Sequence, residues 1–230
     1  MATDPCLRRF PLICRRAPPK LRDGPSPPGG PVPFCGVSDV IRPDDVLHFW
    51  FGTIDGTGLT APQKKWFAKD PVFDQACRDG FGVAWEAALA GSCDDWQTTP
   101  RHALALVVLL DQIPRNIFRG DPRSYASDFK ALAVARAALA NGFDENLTPF
   151  ENIFLFLPFE HSERLDDQEQ SVALADGLPA GEGFDRVRHV ARRHREIVER
   201  FGRFPHRNAV LGRISTPEEI AFLLEPESSF

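Results

Sequence analysis

Three short stretches gather the residue types that could do chemistry. LDQIPRN, Leu110 to Asn116, sets Asp111, Gln112, Arg115 and Asn116 around Pro114. FEHSE, Phe159 to Glu163, sets Glu160, His161 and Glu163 just beyond Pro158. RFGRFPHRN, Arg200 to Asn208, adds Arg203, His206, Arg207 and Asn208. Together they offer carboxylate acceptors (Asp111, Glu160, Glu163), guanidinium donors (Arg115, Arg203, Arg207), amides that donate and accept (Gln112, Asn116, Asn208) and two imidazoles that titrate near neutrality (His161, His206). Guanidinium forks match carboxylate or phosphate, so the set fits a polar, anionic small molecule. A histidine beside a carboxylate is an acid–base pair. On that chemistry His206, His161 and Glu160 are the candidate catalytic residues. Asp111, Gln112, Arg115, Asn116, Glu163, Arg203, Arg207 and Asn208 are the candidate ligand-binding residues, and Trp50 is expected to line the pocket.

The same residues admit a structural reading. Asp111 and Arg115 are four apart on a helix and can pair with each other, as can Glu160 with Arg164. Arg203, His206, Arg207 and Asn208 can satisfy carbonyls freed where prolines interrupt a helix. His194, on an apolar stripe, reads as a hydrogen-bonded core histidine. Glu160, Glu163, His161, His194 and His206 are suitable metal-ligand types, but no H-E-x-x-H, E-x-x-H or cysteine set joins them, so no metal or other cofactor is indicated. A hydrolase elbow, a phosphate loop and a dinucleotide fingerprint are all missing.

The elements that must position these residues read as helices. A capping residue followed by proline recurs at Asp70-Pro71, Thr99-Pro100, Thr148-Pro149 and Thr216-Pro217, which is a helix start because proline's missing N–H falls among the unpaired donors of the first turn. Glu151 and Glu219 complete capping boxes, and Thr60 with Gln63 is a further one. Apolar residues recur at helical spacing and no alternating β-branched run appears, so the body is all-α, with about eight to nine antiparallel helices near 43–51, 62–68, 71–90, 99–116, 127–141, 149–161, 164–177, 184–201 and 217–224. Gly91, Gly142, Gly177 and Gly202 are placed to end helices in the left-handed conformation. HALALVVLLDQIP and NIFLFLPFE are apolar almost all round and must form the core. Helices joined by short loops alternate in direction, so 99–116, 149–161 and 184–201 should point the same way and bring the three polar stretches to one end.

Residues 1–40 are a different object from the helical domain at 41–230. Residues 1–42 carry seven Lys or Arg and three Asp, a net of +4 that leaves −9 for the remainder of a chain totalling −5, and nine of the 21 prolines lie there. Such a density of ring-locked residues supports no apolar period, so 1–40 is read as a disordered Pro/Arg-rich tail. The overall charge argues against nucleic acid as a partner. No apolar run approaches the roughly 20 residues that span a bilayer, so a membrane is not expected either. Five widely spaced cysteines without a C-x-x-C pair suit a reducing cytoplasm.

The ordered set VLHFWFG (46–52), LVVLLDQIPRNIFRG (106–120), FLFLPFEHSE (154–163), Asp167-Gln168-Glu169 with Ser171, and HREIVERFGRFPHRNAVLGR (194–213) followed by STPEE resembles the family known as domain of unknown function 924. The resemblance runs from about Val40 to Phe230 and implies an all-helical body of tetratricopeptide-like fold, although no 34-residue repeat is present. It carries no catalytic assignment. The sequence thus points to an enzyme or small-molecule-binding protein acting on a polar, anionic ligand. The alternative is a helical scaffold that holds a peptide or protein partner in a groove, its polar motifs being structural.

Overall fold

Side-chain caps fix the helix starts where the sequence puts them. Asp70 accepts from the backbone N–H groups of Val72 and Phe73, and Thr99 accepts from His102. Thr148 and Thr216 form full capping boxes with Glu151 and Glu219. The computed structural model describes residues 41–52, 66 and 69–230, and Val40–Phe230 form one compact unit. The expected tail at 1–40, the Thr60–Gln63 cap and, Trp66 apart, the helix at 62–68 lie outside the described residues.

The described residues are all-α: α1 Pro43–Phe51, α2 Pro71–Leu89, α3 Pro100–Val107, α4 Ile113–Ile117, α5 Asp128–Ala140, α6 Pro149–Glu160, α7 Leu165–Asp176, α8 Glu182–Phe201 and α9 Pro217–Phe222. These bounds fall close to those expected from the apolar period, with one change of kind. The helix expected at 99–116 is α3 and α4 joined through a π turn at Val108–Gln112.

That π turn has a local cause and a local remedy. Ile113 N–H reaches back five residues to Val108 O, and Pro114 has no N–H to offer the carbonyl of Leu110. Ser127 Oγ donates to Leu110 O instead, while accepting from Trp85 Nε1 at 2.9 Å. The freed carbonyl is therefore satisfied, and the helix continues through Pro114 into α4. Pro158 sits inside α6, which runs on to Glu160, and the Gln168 side-chain amide donates to the carbonyls of Phe159, Glu160 and Ser162 at the helix end.

The two apolar segments are the core. Leu104, Ala105, Leu106, Val107, Val108, Leu109 and Leu110 are fully enclosed, as are Phe154 and Leu155. Phe154 makes edge contacts with Trp50, Phe51 and Trp66, aromatic geometry that adds to simple area burial. Along α8 the buried positions Ala191, His194, Ile197 and Val198, with half-buried Phe184, Val187 and Phe201, form the single stripe expected there.

Gly91, Gly142 and Gly202 adopt positive φ, as expected past helix ends. Gly177 does not. Its φ of −72° is ordinary right-handed geometry, and its N–H still bonds back to Ala173 O.

Thr148→Ala is expected to lower stability by about 1 kcal/mol in urea unfolding. Its hydroxyl accepts from Glu151 N–H, and Glu151 in turn accepts from Thr148 N–H at 2.9 Å while pairing with Arg101 at 2.7 Å. An unchanged midpoint would show that Arg101 alone holds the start of α6.

Candidate functional site

The π turn places Asp111 in complete enclosure, 0% exposed. A lone buried carboxylate would be driven neutral. Here it is held ionised. Its Oδ1 lies 2.8 Å from His161 Nδ1 and 3.3 Å from Arg115 Nη1, and its Oδ2 accepts from Gln112 Nε2 at 2.5 Å. Burial opposes this, but the charge of Arg115 and the hydrogen bonds from His161 and Gln112 outweigh it, so the carboxyl stays well below the usual range. Arg115 completes a chain by forking onto Asp128 at 2.9 and 3.0 Å.

The Asp111 contact fixes the His161 ring. Burial first, then the charge of Arg115, holds the imidazole below its ordinary pKa despite the pull of Asp111. A neutral ring whose Nδ1–H donates to a carboxylate carries its lone pair on Nε2, and Nε2 makes no hydrogen bond among the described residues. This is the orientation a general base needs.

Glu160 stands next to it in sequence and opposite in behaviour. The side chain is 7% exposed and its carboxyl accepts no hydrogen bond among the described residues; His194 Nδ1 stands 3.6 Å from its Oε1. Burial and the negative charge of Asp111 push it up to about 8, so it is protonated at neutral pH. His194 donates Nδ1–H to Val190 O at 2.9 Å, and burial holds it neutral well below its ordinary pKa. The ring of Phe230 stacks on it at 3.8 Å. His206 approaches the same Phe230 edge-on at 6.0 Å, and burial with the charge of Arg207 lowers it to about 4.

The corner after α8 is clasped from two sides. Glu163 accepts from Phe204 N–H at 2.8 Å and forks with Arg213 at 2.7 and 2.9 Å, tying the corner to the loop after α6. Arg203 forks onto Glu219 at 2.6 and 2.8 Å and donates to Ile214 O, and Asn208 Nδ2 donates to Ser215 and Glu219. Arg207, within the same corner, makes no such fork. Four of the buried side-chain atoms that lack a hydrogen bond fall here: His206 Nδ1, Arg207 Nε, Asn208 Oδ1 and Arg213 Nε. Native proteins satisfy nearly all buried polar groups, so such a concentration needs an explanation.

The structure therefore brings Asp111, Arg115, Glu160, His161, His206 and Arg207 into electrostatic contact with one another. Gln112 serves Asp111, and Asn116 donates to Gln112 O within the helix. Arg203 and Asn208 are committed to the Glu219 clasp and Glu163 to the Arg213 clasp. Trp50 is fully buried against Phe73 and Phe154, and its Nε1 has no hydrogen-bond partner among the described residues. The expected i,i+4 pair of Asp111 with Arg115 forms. The Glu160–Arg164 pair does not, because Arg164 turns to Asp166 and Asp167. His194 is the core histidine expected, but it also faces Glu160. Asp128, Tyr125 and Phe230 were not legible as site residues, since the contacts that bring them here run to partners far away in sequence.

Among the described residues no three of His, Cys, Asp and Glu converge as metal ligands, and no helix is long and apolar enough to cross a membrane. A cleft of about 370 Å³ opens away from this centre, between the start of α6 and the end of α7, lined by Asn152, Phe156, Leu174 and Leu178 among others.

The described residues form an all-helical body. The chain belongs to the bacterial family of proteins of unknown function DUF924, whose model matches residues 46–227. Among solved structures it is similar to the protein of unknown function ATU0120 from Agrobacterium tumefaciens, at 39% identity and a TM-score of 0.70, covering 79% of this chain and 96% of that one. No curated protein matches the sequence.

Proposed function

We propose that the protein is an enzyme that performs acid–base chemistry on a small polar, anionic molecule at the Asp111–His161–Glu160 centre. The observation that carries this reading is the opposition of the two neighbours. His161 is neutral with a free Nε2 directed by Asp111, so it is equipped to accept a proton. Glu160 holds a proton at neutral pH, so it is equipped to give one. Environments that drive two adjacent titratable groups apart in this way mark the base and the acid of a site. A purely structural cluster has no need of a desolvated, unbonded carboxyl beside an ionised one, because burying it is costly. His206 stands at the edge of the centre as a neutral imidazole.

The reading is tested by nitrogen NMR of histidine-labelled protein at pH 7 and by turnover screens of polar metabolites with the intact chain. His161 is expected as the neutral Nδ1–H form. Any substrate found should be turned over by the parent and lost in both His161→Gln and Glu160→Gln, with each variant folded. A cationic His161, or a ring protonated at Nε2, removes the base and with it the proposal.

A further inference from the structure

Arg207 is the most anomalous group in the structure. Its side chain is 8% exposed, yet its guanidinium donates no hydrogen bond to any described residue. The nearest carboxylate, Asp128, stands 3.6 Å from Nη1 and is already forked by Arg115. The rings of Tyr125 and Phe204 lie 4.7 and 4.5 Å from its central carbon. Such contacts ease the desolvation of the charge, but they accept no in-plane hydrogen bond. Its Nε–H is thus held dry without an acceptor, and its Nη–H donors form no hydrogen bond to any described residue, which is expensive unless something supplies acceptors. Arg115, half-buried beside it, shows the contrast, with both terminal nitrogens matched to carboxylate oxygens.

From this geometry we propose that Arg207 receives the carboxylate of a small organic acid, in the plane of its guanidinium. A planar, bidentate acceptor fits the unfilled fork. Charge selects a monoanionic carboxylate over a phosphate dianion. Asp111, Asp128 and Glu163 are matched one for one by Arg115, Arg207 and Arg213, so a monoanion leaves the cluster one negative charge in excess and a dianion two. The histidines facing it, His194 and His206, are neutral, and the Tyr125 ring lies against it. The carboxylate would anchor the molecule whose other end reaches His161 and Glu160. In this respect the inference rests on the acid–base reading, but its test reads Arg207 directly and needs no turnover.

Butyrate, benzoate and inorganic phosphate, titrated at matched ionic strength into arginine-labelled protein, provide that test. Butyrate and benzoate are expected to move the Arg207 Nε–H resonance saturably, with phosphate at least about tenfold weaker. Arg207→Lys keeps the charge and loses the fork, so it should weaken carboxylate binding by at least about tenfold with a little-changed unfolding midpoint. Phosphate binding as tight as the carboxylates, no saturable shift, or unchanged affinity in Arg207→Lys overturns the assignment. If that variant does not fold, the comparison of carboxylates with phosphate on the parent protein decides alone. A carboxylate that binds while His161 proves cationic would keep this site and reject the acid–base reading.

Discussion

Asp111→Ala is expected to destabilise the protein by about 3–5 kcal/mol in urea unfolding, far more than loss of its methylene and carboxyl contacts at a surface would cost. Removing one member of a buried ion pair leaves the other charge without compensation. Asp128 still holds Arg115 by two hydrogen bonds, but the Oδ1 that Arg115 and His161 share disappears, and Gln112 Nε2 is left without its acceptor in a space closed to water. Asp111→Asn separates charge from shape. It fills the same volume and keeps one acceptor, so it should fold. Without the negative charge the His161 imidazole should fall further below its ordinary pKa, and Glu160 should drop from about 8, since the Asp111 charge is second only to burial in holding it up. Carboxyl-carbon NMR of Glu160 in Asp111→Asn reads this directly. An alanine variant within 1 kcal/mol of the parent, or a Glu160 unmoved by the amide, would mean that Asp111 does not organise the centre.

Local rules made most of the scaffold readable, and long-range pairing hid much of the site. A Thr or Asp before Pro announces a helix start because both partners of the cap lie within four residues, and α2, α3, α6 and α9 begin where those signals stand. The all-apolar α3 and α6 announce burial for a similar reason. The π turn has no such signal. Pro114 announces a freed carbonyl, but nothing near it in sequence reveals that Ser127 will fill it. Asp128 is silent as well: it opens α5 in the guise of an N-terminal helix acid, and only the fold turns it toward Arg115 and Arg207. Arg203 and Arg207 look equivalent in RFGRFPHRN. Glu219 takes one and leaves the other, and that difference separates a structural clasp from a candidate anion site. Residue types could thus nominate the cluster. Deciding which members are satisfied required coordinates.

Stability is expected to peak near pH 6.5 and to fall on both sides, and the alkaline fall should trace to Glu160. Glu160 has a folded pKa raised to about 8 from the ordinary 4.5, so its contribution is complete below 4.5 and is lost as pH rises through 8. Between those values the native state holds a proton that the unfolded chain has released, and each such proton lowers stability by about 1.4 kcal/mol per pH unit. His161, His194 and His206 are shifted the other way, the last to about 4. Their contributions are present above 6.5 and lost as pH falls, because the unfolded chain takes up protons that the folded rings refuse. Below 6.5 the three histidines outweigh the one glutamate and stability falls toward acid. Above 6.5 the histidine contribution levels off and only partly offsets Glu160, which should by itself remove roughly 2 kcal/mol by pH 8. Urea midpoints across pH 5 to 9 measure both limbs. Glu160→Gln, neutral at every pH, should flatten the limb between 6.5 and 8 and leave the acid limb in place. A parent protein whose stability holds level or rises from 6.5 to 8, or a glutamine variant that keeps the fall, would show that Glu160 is ionised in the native state, and a centre with no proton on Glu160 has no acid to give.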